Sequence, residues 1–269
     1  MDENVMTQSL LQLKKKRTAF FLALSLLSIS MSSSAFSAPT WWKEKTWRPV
    51  MTVGAGATMS SYVGKTQYFA IQNPATDQFY SYHANRQSQT SFLFDGFLGA
   101  EWVATTDWLF QAGLEYKQAS PFHAKGVLTQ GTASSLQNSY GYSYNVLSRQ
   151  LLVEAKALYT VKKRFHPYAL LGFGVAFNRA YDYATGVPAL TYTPRYTNNT
   201  THSLSSALGL GLDVDVTEHV RAGLGYRFSD LGQRVNLGSV VLNPSGGKGA
   251  LSQAHLYANE VLAQLTWIM

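Results

Sequence analysis

Residues 204–228 read LSSALGLGLDVDVTEHVRAGLGYRF, and a period of two runs through both halves of the stretch. In the first half Leu204, Leu208, Leu210, Leu212 and Val214 fall on one side, against Ser205, Ala207, Gly209, Gly211, Asp213 and Asp215. After a short link at Thr217–His219, Val220, Ala222, Leu224, Tyr226 and Phe228 alternate with Arg221, Gly223, Gly225 and Arg227. Successive side chains of a β-strand point to opposite faces, so each half is a strand and the pair is a hairpin. One face is uniformly large and apolar, and the other holds glycine and ions. Small residues and charges suit the narrow interior of a closed barrel, while an unbroken greasy face suits lipid.

Six more segments repeat the pattern. Met51, Val53, Ala55, Ala57 and Met59 oppose Thr52, Gly54, Gly56 and Thr58. Phe92, Phe94, Leu98, Ala100 and Trp102 oppose Ser91, Asp95, Gly99 and Glu101, with Phe97 out of pattern. Trp108, Phe110, Ala112, Leu114 and Tyr116 oppose Gln111, Gly113, Glu115 and Lys117. Leu147, Leu151, Val153, Ala155, Ala157 and Tyr159 oppose Ser148, Gln150, Glu154 and Lys156. Leu171, Phe173, Val175 and Phe177 oppose Gly172, Gly174, Ala176 and Asn178. Tyr257, Val261, Ala263, Leu265, Trp267 and Met269 oppose Ala258, Glu260, Gln264 and Thr266.

Segments of about 10–14 residues match tilted strands that cross a bilayer, whereas strands of soluble sheets are typically nearer 5–6. The links alternate as well. Ala104–Asp107, Lys162–His166 and Thr217–His219 are short. Ser61–Gln89, Gln118–Tyr142, Ala180–Thr201 and Gly232–Ala254 are each roughly 20–30 residues, far above the usual loop. This predicts an all-β fold, an eight-stranded antiparallel transmembrane β-barrel with short periplasmic turns, long extracellular loops and both termini in the periplasm. A soluble eight-stranded barrel needs the reverse, an apolar inside and a polar outside.

The composition agrees. Charged residues are 14% of the 269, aromatics 13%, and there is no cysteine. Thiol catalysis, cysteine-held zinc and disulfide scaffolds are therefore excluded. The mean hydropathy, −0.10, is too low for a bundle of membrane helices. The formal charge is +7. Lys14, Lys15, Lys16 and Arg17 precede the 12 apolar residues Thr18–Ile29 and then a small, polar run, the layout of a secretory leader. Cleavage is placed after Ser37, with Ala35 nearly as good, giving a signal peptide over 1–37, a periplasmic segment over 38–46 and the barrel domain over 47–269. Losing 1–37 removes four basic and two acidic residues and leaves +5, too modest for a nucleic-acid binder.

HPYALLGFGVAF (166–177) and GLGLDVDVTEHVRAGLGYRFSDLG (209–232) resemble a Pro-Tyr strand and the penultimate hairpin of the OmpA-like and opacity-protein-like superfamily of eight-stranded outer-membrane barrels. The likeness extends over about 47–269. It implies residence in the outer membrane of a Gram-negative bacterium, contact with its lipid and lipopolysaccharide, and insertion by the barrel-assembly machinery. Nothing after the eighth strand matches the peptidoglycan-binding domain of OmpA proper. The family's final Phe is replaced by Met269, with Trp267 keeping an aromatic two places earlier.

Candidate sites follow from the faces. Asp95, Glu101, Glu115, Lys117, Glu154, Lys156, Asp213, Asp215, Arg221, Arg227 and Glu260 all lie on the small-residue face and are expected to form an interior charge network. Glu101, Glu115, Glu154 and Asp213 are the candidate partners of Arg221 and Arg227. Trp102, Trp108, Tyr159, Tyr226, Tyr257 and Trp267 are the expected interface aromatics. Arg149 and Arg179 lie on outward faces near the outer strand ends, where they could reach lipopolysaccharide phosphates.

Chemistry is harder to find. The Gly-x-Gly pairs at Gly54, Gly172 and Gly209 have no strand-turn-helix setting, and Gly246-Gly247-Lys248-Gly249 lacks Walker spacing. No two of the six histidines have helical zinc spacing, and no cofactor or metal is expected. A lipid A deacylase of this size uses His and Ser two residues apart, but His255 is followed by Leu256 and Tyr257. The chain therefore reads as non-enzymatic. The alternatives are a lipid A-modifying enzyme and a narrow channel for small apolar solutes. Specific function is expected in the long loops, where Tyr62, Tyr68, Tyr80, Tyr82, Tyr140, Tyr142, Tyr144, Tyr181, Tyr183, Tyr192 and Tyr196 stand among Ser, Asn and Gly, a composition suited to adhesion or capture of a host ligand. The bland reading is that they pack on themselves or extend the strands.

Overall fold

The computed structural model describes residues 47–60, 66–73, 76–85, 88–132, 135–186, 196–232, 236–238, 251 and 255–269. The leader 1–37 and segment 38–46 lie outside them. The described chain forms eleven strands: β1 (Trp47–Ser60), β2 (Gln67–Asn73), β3 (Thr76–Ala84), β4 (Gln89–Val103), β5 (Trp108–Ala119), β6 (Phe122–Thr132), β7 (Ser135–Tyr159), β8 (Phe165–Thr185), β9 (Asn199–Asp215), β10 (Val220–Asp230) and β11 (Tyr257–Ile268).

Eight of these close a ring in the order β1-β4-β5-β7-β8-β9-β10-β11, with β11 returning to β1. Every pairing in the ring is antiparallel. Each of the eight alternating segments is one ring strand. Burial keeps the same period: in β8, His166, Tyr168, Leu170 and Gly172 are buried while Pro167, Ala169, Leu171 and Phe173 are exposed. In β9 and β10, Leu208, Leu210 and Leu224 are exposed and Asp213, Arg221 and Arg227 are buried. Closure leaves no unpaired ring edge, which is how a β structure satisfies its backbone without water.

The strands depart from the sequence reading in two places. The links at 61–89 and 118–142 are largely strand. β2 and β3 form a hairpin, β3 pairs with β6, and β6 pairs with the first part of β7. The sheet thus continues beyond the ring as a wall, β2-β3-β6-β7-β8. A tyrosine alternating with serine or glycine fits a strand as well as a loop, and here Tyr80, Tyr82, Leu128, Tyr142 and Tyr144 are buried together. The second departure is His166, expected in a turn. β8 already begins at Phe165, and the imidazole points inward.

The inward face is also more apolar than expected. Leu93, Phe97, Leu109, Leu152, Leu158, Leu170, Leu262 and Ile268 are buried alongside the ions. An eight-stranded ring is so narrow that side chains themselves must fill it. Glycine sets how they fit. Tyr168 lies across Gly211 and Gly225, where a Cβ at either position would collide with its phenol.

Candidate functional site

The interior is built in tiers. At the end with the short turns, Arg48, at the start of β1, donates to Glu101 Oε1 at 2.6 Å. Arg221 donates to Glu101 Oε2 at 2.7 Å and to Asp215 Oδ1 at 2.9 Å. Asp215 Oδ2 meets His166 Nε2 at 2.8 Å, and His166 Nδ1 lies 3.2 Å from Thr160 Oγ1. Gln111 donates to Glu101 at 2.7 Å. Val50, Phe97 and Ile268 form an apolar cluster. Leu109, Leu158, Tyr168 and Leu170 form another. Beside it, Lys156 pairs with Asp213 at 2.8 Å and sits 3.8 Å above the Tyr168 ring.

The middle tier holds the most charge. Arg227 pairs with Glu115 and, at 3.2 Å, with Glu154. Lys117 pairs with Glu260 at 2.7 Å and donates to Ser229 at 2.7 Å. Asp95 accepts from Gln264 at 3.0 Å. All of these groups are buried. A void of about 10 Å³ against Lys117, Gln150 and Glu260 is the size of one water.

Above this tier, Leu93, Ala119, Phe122, Leu231, Ala258 and Leu262 begin an apolar core that runs up into the wall as far as Tyr80, Tyr82, Tyr142 and Tyr196. The Tyr82 ring meets Tyr142 at 5.2 Å and Tyr196 at 5.9 Å, and Tyr183 meets Tyr196 at 4.9 Å. Tyr80, Tyr82, Tyr142, Tyr144 and Tyr196 therefore plug the structure and are not offered to solvent, and the partly buried Tyr183 packs against them. Tyr68, 75% exposed, is surface. Tyr62 and Tyr192 lie outside the described residues.

Burial raises the phenols of Tyr80, Tyr82 and Tyr196 above their usual range, and the neighbouring tyrosines push Tyr82 further. Below the unfolded phenol value of about 10 both states are neutral, so the plug keeps its full stability there. Above it the unfolded chain ionises first and stability falls. Alkaline titration at 295 nm should therefore show a cooperative late rise as the wall opens. A smooth rise of all the phenols centred near pH 10 would contradict the plug.

The structure places each remaining sequence-derived residue as follows. Of the four carboxylates offered to the arginines, Glu101 takes Arg221, Glu115 and Glu154 take Arg227, and Asp213 goes instead to Lys156. The outward aromatics Trp102, Trp108, Tyr159, Tyr226 and Tyr257 are exposed, and Trp267 is half-buried. Trp108 meets Tyr159 at 5.1 Å near the turns. Tyr226 donates to Asn259 at 2.6 Å, and Tyr257 stacks on Phe228 towards the opposite end. Arg149 is exposed and donates to Gln118 at 3.1 Å. Arg179 is exposed, with its guanidinium 5.3 Å from the Tyr181 ring.

Sequence reasoning missed Arg48 and the His166–Asp215 contact. It also missed a second histidine–carboxylate contact, His255 to Asp230 at 2.5 Å. Pairing between β10 and β11 brings those two together across 25 residues, a distance no local pattern shows. Among the described residues no group of three or more His, Asp or Glu could hold a metal.

The family described as outer membrane protein beta-barrel domain matches residues 21–256. Among curated proteins none matches the chain. Solved structures similar to it include neisserial surface protein A, at 12% identity, covering 84% of this chain and 98% of that one with a TM-score of 0.42. OprG of Pseudomonas aeruginosa is 14% identical, covering 82% and 95%, with a TM-score of 0.42. The outer membrane protease OmpT of Escherichia coli is 7% identical, covering 82% and 97%, with a TM-score of 0.46.

Proposed function

The chain belongs to the outer membrane protein beta-barrel domain family, and from that premise we propose that it is a closed, non-conducting and non-enzymatic barrel of the Gram-negative outer membrane that holds a β-sheet wall above the surface. The observation that carries this reading is the filled lumen. Ion pairs in two tiers alternate with apolar clusters from the turn end to the wall. A conduit for small solutes would need a continuous gap through them. Planar-bilayer recording of the purified protein is the test: silence is the expected result, and steady unit conductance would overturn it.

Export under the leader 1–37 and insertion by the barrel-assembly machinery belong to this reading. Contacts with a host or surface ligand then fall to the outward face of the wall, where Tyr68 stands edge-on to His83 at 6.0 Å and Val127 is exposed. The buried tyrosines hold that wall up. Arg149 and Arg179 come from the paired strands β7 and β8, and in this reading they meet lipopolysaccharide phosphates at its foot. Deleting the β2–β3 hairpin should abolish any cell binding that the intact protein confers while leaving the ring folded. Binding that survives the deletion would remove the wall from the adhesive role.

A further inference from the structure

Of the three described short turns that join one ring strand to the next, the one between β7 and β8 is the only basic one. Val161 and Phe165 exchange backbone hydrogen bonds at 2.7 and 3.0 Å, leaving Lys162, Lys163 and Arg164 at the tip. Lys162 and Lys163 have φ of 50° and 64°, left-handed values that glycine or asparagine usually supplies. All three side chains are exposed, and the ion pairs among the described residues leave them out. The turns on either side carry Asp107 and Glu218 instead.

Directly above this tip the outward surface is hollowed. A groove of about 680 Å³ runs over Ala112, Ala155, Ala157 and Ala169 between Phe110 and Leu171. Its floor is set by register, since Ala157 pairs with both Phe110 and Ala169, and Ala155 with Ala112 and Leu171. The volume is within the roughly 300–1,000 Å³ of small-molecule sites. The Trp108–Tyr159 pair lies between groove and tip. Ala157 and Lys162 are five residues apart, at most roughly 17 Å of strand, which fits within the roughly 20 Å of one leaflet with its headgroups.

We propose that this face holds one anionic phospholipid of the periplasmic leaflet. The phosphate sits among Lys162, Lys163 and Arg164, the glycerol beside Trp108 and Tyr159, and an acyl chain in the alanine-floored groove. Two lysine point charges and a forked guanidinium match a phosphodiester, and the groove removes hydrocarbon from competition with bulk chains. Lipopolysaccharide occupies the opposite leaflet, so this site is separate from Arg149 and Arg179. The inference does not depend on any ligand at the wall.

The test is native mass spectrometry of the protein released from bilayers of equimolar phosphatidylglycerol and phosphatidylcholine with matched chains. One phosphatidylglycerol should remain bound per barrel, in preference to phosphatidylcholine. Neutralising the tip (K162Q, K163Q, R164Q) should lower that retention at least about fivefold. Filling the groove (A157L, A169L) should lower it as well while leaving the tip intact. Unheated-gel mobility confirms that each variant is folded. Equal retention of both lipids by the parent protein, or retention unchanged in either variant, overturns the proposal.

Discussion

Changing Arg227 to methionine is expected to lower the stability of the barrel by about 3–5 kcal/mol, the cost of leaving a buried charge partner uncompensated. Arg227 is the cation between Glu115 and Glu154, and all three are buried. Around them Asp95 and Glu260 add two more acids, and Lys117 is the other base of the tier. Methionine matches the arginine stem in bulk, so the loss is electrostatic and not a cavity. The readout is urea unfolding in detergent micelles or lipid vesicles, followed as the fraction running fast on unheated gels. Removing the stranded acids as well, in R227M with E115Q and E154Q, should recover most of the loss, because replacing a buried ionic cluster by neutral groups of similar shape is often close to neutral. A single R227M variant that unfolds at the parent urea concentration would place this tier in water.

Changing Leu210 to arginine is expected to cost about 2–4 kcal/mol, the depth-dependent cost of a cation facing lipid near the bilayer midplane. Leu210 is 64% exposed to the outside, between Leu208 and Leu212 on β9, and pairs with Tyr226 and Ala169. In a water-soluble protein an exposed leucine to arginine would be nearly silent, since surface substitutions usually stay within about 0.5 kcal/mol. The two cases therefore differ by at least about tenfold in the folding equilibrium. Leu204, at the far end of the same face, gives the internal comparison: L204R should cost much less because an arginine there reaches the headgroups. Equal and small effects at both positions would remove the lipid from that face.

The ring was legible because its strands carry two chemically opposed faces. Within the run at 204–228, the last four pairs of positions, 221–228, sort alanine, leucine, tyrosine and phenylalanine from arginine and glycine without exception, and a closed barrel in lipid uses both faces that way. Phe97 marks the limit of the rule. It sits on the inward face with Val50 and Ile268 because the lumen needs filling as much as it needs charge balance. The wall was not legible for a related reason: Tyr80, Tyr82, Tyr142 and Tyr144 alternate like a strand but have the composition of a binding loop, and only the β3–β6–β7 register shows that they face one another. Charge partners followed the same division. Burial of Arg221 and Arg227 came from periodicity, whereas the choice of Lys156 over an arginine for Asp213 depends on which strands meet across a lumen, which no spacing encodes.

A membrane-spanning barrel requires the glycine-and-ion face to look inward and the greasy face to meet acyl chains. The most direct measurement is power-saturation EPR of spin labels placed singly at Phe173 and Leu210 in reconstituted bilayers, comparing access to oxygen with access to a water-soluble nickel chelate. Both side chains are exposed on outward faces, at 58% and 64%. Strong oxygen access with almost none to the chelate is expected at both. Labels that see the chelate freely, in a protein that stays folded in plain buffer, would contradict the barrel as described.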